Sequence, residues 1–157
     1  MPSGIFLSAI IAAIFIAATP STHAAPPDDA CSLVTDAQVS AAVGVSVKPG
    51  VYVTPTFKKT CTWNATTPVP QSVKIVTLML QGLDAYQAGK NTSLKSIIVT
   101  PASGIGDDAY YLGTDAVFGL VVKKGSIAFK VAVYADIPKE KKQALEKALA
   151  QQVLAKL

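Results

Sequence analysis

The stretch AVFGLVVKKGSIAFKVAVYA, residues 116–135, decides the fold. Ile127, Phe129, Val131 and Val133 recur at period two, which places them on one face of an extended strand. Lys123-Lys124-Gly125 interrupts the apolar run halfway. The segment therefore reads as an antiparallel hairpin turning at those three residues.

Immediately upstream lies GIGDDAYY, residues 104–111. Gly104 and Gly106 permit unusual backbone angles, and the side chains of Asp107 and Asp108 can bond nearby amides before a strand begins over 109–112. Downstream, Pro138 opens a segment carrying Leu145, Ala148, Leu149, Val153 and Leu157 at helical spacing, with Lys, Glu and Gln on the other face. It reads as a helix lying on the sheet.

Further upstream, Val73–Leu80 (VKIVTLML) is apolar on both faces. Val73, Ile75 and Met79 point one way and Val76, Leu78 and Leu80 the other. This predicts a central strand covered on both sides, or one whose second face lines a cavity. A short helix is predicted over 83–90 and a strand over 96–100, ahead of Pro101. Near the N-terminus, Thr35 and Gln38 form a capping-box pair, Gly44 supplies a left-handed stop, and Val34 and Val39 stand as a hydrophobic staple. A helix over 36–43 follows. Pro49-Gly50 reads as a turn, making the segment around it two short strands or an irregular hairpin, and a strand through KKTCTWNAT brings Cys61 back toward the first helix. The order predicts an α+β fold: an antiparallel sheet with the N-terminal and C-terminal helices packed on one face.

Residues 1–24 read as a secretory signal peptide. An apolar block runs from Ile5 to Ala18, Pro20 breaks it, and Ala24 precedes the cleavage point. The block falls short of the roughly 20 residues a membrane span requires, so no stable anchor remains after cleavage. Residues 25–30 read as a disordered lead and 31–157 as one globular domain. The expected location is outside the cytoplasm, periplasmic or secreted. In that setting Cys31 and Cys61 are most simply a disulfide. Lipidation of Cys31 is disfavoured because Asp28 stands where a lipobox needs an apolar residue.

The chain holds 14 basic residues against 10 acidic ones, for a net charge of +4. All the basic residues are lysines, and they are scattered. Nucleic-acid binding is disfavoured, because it draws on arginine forks and a clustered basic face. The single histidine, His23, falls in the leader, which removes Ser/His and Cys/His chemistry from the rest of the chain. Zinc would need His or Cys ligands beyond a committed cysteine pair. Calcium needs alternating oxygen ligands, whereas Asp107 and Asp108 are adjacent. No cofactor or metal is expected. Trp63, Tyr110 and Tyr134 are the candidate ligand-contacting aromatics. The plainer reading packs Trp63 against the disulfide and leaves the tyrosines at the sheet margin.

Taken in order, CSLVTDAQVSAAVG, CTWN, GIGDDAYY and the Lys/Ala/Leu tail resemble a broad group of small bacterial cell-envelope proteins of unknown function, many of them lipoproteins. They also resemble the extracellular sensor domain of bacterial receptor Ser/Thr kinases. The resemblance implies a helix-backed antiparallel sheet. Cys31, Cys61, Trp63, Gly104, Gly106, Asp107 and Ala109 match its framework positions. This chain departs from the group in lacking a lipobox and in offering only one disulfide. The functional expectation is a non-catalytic binding domain that takes a small molecule or envelope component on one sheet face. The alternative is a protein interaction or inhibitor module, and a Ser/Lys or acid-pair hydrolase is the less favoured third reading.

Overall fold

The computed structural model describes residues 26–157, so the signal peptide expected over 1–24 lies outside the described residues. The hairpin is present as β6 (Phe118–Lys124) and β7 (Ile127–Ala135). Lys124 pairs with Ile127, so the turn is Gly125-Ser126 and both lysines extend the strand. Before it come β1 (Val51–Thr54), β2 (Phe57–Asn64), β3 (Val73–Gln81), β4 (Ile98–Ala102) and β5 (Asp108–Gly113). The helices are α1 (Asp36–Val43), α2 (Leu83–Lys90) and α3 (Lys139–Leu154).

All strand pairings are antiparallel, in the order β1-β2-β3-β7-β6-β5-β4. Two meanders, β1-β2-β3 and β4-β5-β6-β7, meet along β3 and β7, and α2 lies in the connection between them. The expected α+β architecture holds, with α1 and α3 in contact and α3 lying over β6 and β7. Their shared face carries the main core, including Trp63, Leu78, Leu120, Val122, Phe129, Val131, Leu149 and Val153. The opposite face has a smaller core where Tyr86 of α2 meets Tyr110, Val121 and Ala128.

α1 forms where its caps require. Thr35 accepts from the Gln38 amide at 3.2 Å, Gln38 Oε1 accepts from the Thr35 amide at 2.9 Å, and Gly44 closes the helix at φ 72°. The staple residues Val34 and Val39 are both buried. Cys31 sits in a 3-10 turn, Ala30–Ser32, and is bonded to Cys61 of β2. Asp29 and Ala30, placed by the sequence in a disordered lead, belong to the fold. The Asp29 carboxylate accepts from Tyr52 Oη at 2.9 Å, and Ala30 is fully buried.

Four expectations are corrected. The Pro49-Gly50 turn does not join two strands; the hairpin turns at Pro55-Thr56, and upstream only Val47 bridges to Ala65. In β3 a register shift between Val73 and Ile75 sends Val73 to the helix-covered core with Val76, Leu78 and Leu80. β3 itself is buried on one face only; the runs buried on both faces are Phe118 through Val122 of β6, with shorter ones at 109–111 of β5 and 131–133 of β7. In α3, which begins at Lys139 with Pro138 as its N-cap, the buried stripe is Lys142, Glu146, Leu149, Ala150 and Val153. Leu145 and Ala148 are only partly buried and Leu157 is exposed.

Candidate functional site

Two of the three candidate aromatics are interior. Trp63 is 1% exposed and donates its indole N–H to Asp36 at 2.9 Å, and Gly50 passes directly over it and over Cys61. Tyr110 is also 1% exposed and donates to the Tyr86 carbonyl at 2.6 Å; burial pushes its hydroxyl up to about 12. Tyr134 remains at the surface, 40% exposed.

The GIGDDAYY segment is a brace. Gly104 and Gly106 lie at φ 75° and 61°. A side chain at Gly106 would stand 2.6 Å from the Lys123 carbonyl, so only glycine lets the loop approach β6 this closely. Asp107 does not bond nearby amides, as the sequence suggested. Its carboxylate accepts from the Gly125 amide at 2.7 Å and pairs with Lys124 at 3.1 Å, holding the distant hairpin turn. The Gly125 bond, and then Lys124, keep its carboxyl below the usual range. Asp108 pairs with Lys90 of α2, which lowers its carboxyl as well. The two carboxylates thus serve different partners.

Two surfaces stand open. The first is the part of the outer sheet face that α2 leaves bare. The register places Thr60, Thr62 and Asn64 of β2 beside Met79, Thr77 and Ile75 of β3, and these beside Lys130, Ala132 and Tyr134 of β7. Val51 of β1, 53% exposed, faces Thr62. This face is apolar and hydroxylated, with Lys58 and Lys130 as its charges and no carboxylate on its strand positions. Its edges resist strand addition, since β1 is four residues long between Pro49 and Pro55, and β4 contains Pro101.

The second is a cleft of about 460 Å³ at the start of α3, lined by Phe118, Val133 and Ile137, by Lys74, Lys139 and Lys142, and at its margin by Asp115 and Asp136. Beyond the Leu120–Val131 pair, β6 and β7 leave register, and the Val133 amide donates to Glu146 Oε1 at 3.1 Å instead of to a strand carbonyl. Glu146 is fully buried, and its Oε2 has no partner among the described residues. Burial pushes its carboxyl up to about 8 against the opposing pull of the Val133 amide, Lys142 and Lys130. Lys142, 7% exposed, donates to the Ala116 carbonyl at 3.0 Å and lies 5.3 Å from the Phe118 ring. Sequence reading assigned both residues to the solvated face of α3. The available signal was their spacing: Glu146 is three before Leu149, and Lys142 is seven before it, on the same stripe.

No protein-family model matches the chain, and a comparison with curated proteins gives no match.

Proposed function

We propose that this protein is a non-catalytic binding domain working outside the cytoplasm, and that it docks an envelope component on the bare part of its outer sheet face. The observation that carries this reading is the asymmetry of that face. α2 covers β5, β6 and part of β7, while the partly exposed Thr62, Ile75, Thr77 and Met79 and the exposed Tyr134 continue the same sheet without a covering element. Uncovered sheet surface bearing Ile, Met and Tyr is a feature of binding faces.

The chemistry of the occupant follows from the charges. With lysines and no carboxylates among its strand positions, the face complements a surface that is apolar at its centre and acidic at its margin. The blocked edges favour face-on docking over strand addition. Export is supported by the Cys31–Cys61 disulfide, and among the described residues no helix is long and apolar enough to cross a membrane. The resemblance of its motif order to small envelope proteins and receptor-kinase sensor domains is in keeping with this reading.

The test is a pair of face variants, Thr77→Glu and Met79→Glu, assayed for co-purification with envelope fractions after mild crosslinking. Both are expected to abolish a stoichiometric partner while leaving circular dichroism unchanged. Retention of the partner by both would remove the face from the account.

A further inference from the structure

A different surface, the cleft beside the start of α3, has its own chemistry. The Lys142 ammonium carries three donors. It receives one acceptor, the Ala116 carbonyl, although the residue is 93% buried by its 7% exposure. None of the ion pairs among the described residues involves it; Lys139 at the rim pairs with Asp115 at 3.4 Å. A buried cation without an opposite charge costs several kcal/mol, and a bound anion removes much of that cost. Beside the ammonium, Phe118, Val133, Ala135 and Ile137 provide apolar wall. The volume falls within the range usual for small-ligand sites, about 300–1,000 Å³.

We propose that this cleft binds a small amphiphilic monoanion, with its carboxylate on Lys142 Nζ and its apolar body against Phe118, Val133 and Ile137. Lys139, 5.8 Å from the same Phe118 ring, stands at the mouth already paired with Asp115, which leaves Lys142 as the cation for the ligand. Tyr134 borders both this cleft and the sheet face, but Lys142 and Glu146 belong to the cleft alone and Thr77 and Met79 to the face alone, so variants at these positions test each without the other.

Glu146 makes the site pH-sensitive. The groups acting on it are Lys142 on its own helix, the Val133 amide from β7, Tyr111 from β5 and, from the other side of the sheet, the charge of Lys130. While Glu146 is neutral, Lys142 lacks an internal counter-charge and favours an anion from outside. Once Glu146 ionises, near pH 8, it competes with the ligand.

The experiment titrates the folded protein with octanoate, using octan-1-ol and inorganic phosphate as comparators, and follows amide signals by NMR. Octanoate is expected to shift Ala116–Phe118 and Val133–Ile137, with octanol and phosphate each binding at least tenfold more weakly. Lys142→Met should weaken octanoate at least tenfold. In wild type, affinity should fall between pH 7 and 9, and Glu146→Gln should abolish that fall, a readout that stands even if Lys142→Met does not fold. No shift in the cleft at saturating octanoate would overturn the proposal. So would equal binding of octanol or phosphate, wild-type affinity in a folded Lys142→Met, or a pH profile that Glu146→Gln leaves unchanged.

Discussion

Asp107, expected to bond amides within its own turn, instead holds the hairpin turn at Gly125. Its carboxyl is lowered in the folded state, so its contribution is fully present above the unfolded value, near pH 4, and is lost as pH falls through the folded value. Asp107→Ala should therefore lower Tm by a few degrees at pH 7, and the gap from wild type should narrow in thermal melts as the pH is taken progressively below the ordinary carboxylate range. Any binding by the folded protein should be unaffected. Glu146 carries the opposite sign. Its folded carboxyl is raised to about 8, so the folded state holds a proton that the unfolded state has released, and stability falls as pH rises from about 4.5 to 8. Glu146→Gln keeps an acceptor for the Val133 amide and removes the penalty. It should stabilise the protein by on the order of 3 kcal/mol at pH 7 and by almost nothing at pH 4, measured by urea unfolding at both. Glu146→Leu should be about 1–3 kcal/mol less stable than Glu146→Gln at either pH, because it strands that amide. A Gln variant no more stable than wild type at pH 8 would show that Glu146 folds as a charged residue.

At the scale of elements, the readable parts of the sequence were those where local chemistry alone decides. Thr35, Gln38 and Gly44 set the ends of α1 through bonds within a few residues, and the period-two run at 127–133 fixed the face of β7. The misread parts depend on distant neighbours. Pro49-Gly50 looks like a turn from its own composition, but Gly50 is there because its backbone lies against Trp63 and Cys61, where a side chain would come within 2.6 Å of the indole nitrogen. The shift in β3 that turns Val73 inward is set by pairing with Ala135, far along the chain. In α3, Lys142 and Glu146 were assigned to water by residue type, yet the diverging ends of β6 and β7 offer a free amide and a carbonyl to receive them. The 3-10 turn and β2 are tied by Cys31–Cys61, across a sequence separation of 30 residues. Replacing both cysteines with serine should cost about 3–4 kcal/mol in the loop-entropy description, read from guanidinium unfolding. A cost near zero would mean that the buried surroundings of Cys61 hold the turn without the bond.

For the whole molecule, the fold is two meanders sealed along β3 and β7, with α1 and α3 backing the core on one sheet face and α2 covering part of the other. The seam was the least legible feature, because pairing of strands some fifty residues apart leaves no local mark in either. The fold class was nonetheless accessible, since the helix–strand–helix order and the amphipathic character of each element leave few layered arrangements that bury both helices. The binding surfaces were less so. Trp63 and Tyr110 were chosen for their chemistry and proved interior, whereas the open face is built mainly from Thr, Ile and Met, which carry no functional signature singly. Only the placement of α2 reveals that this surface is bare. The decisive measurement is site-specific photo-crosslinking in intact cells from position 77 on the bare face, compared with position 151 on the exposed side of α3. The account predicts a discrete crosslinked product from position 77, lost on adding Met79→Glu, and none from position 151. Equal products from both positions, or a product from 151 alone, would contradict it.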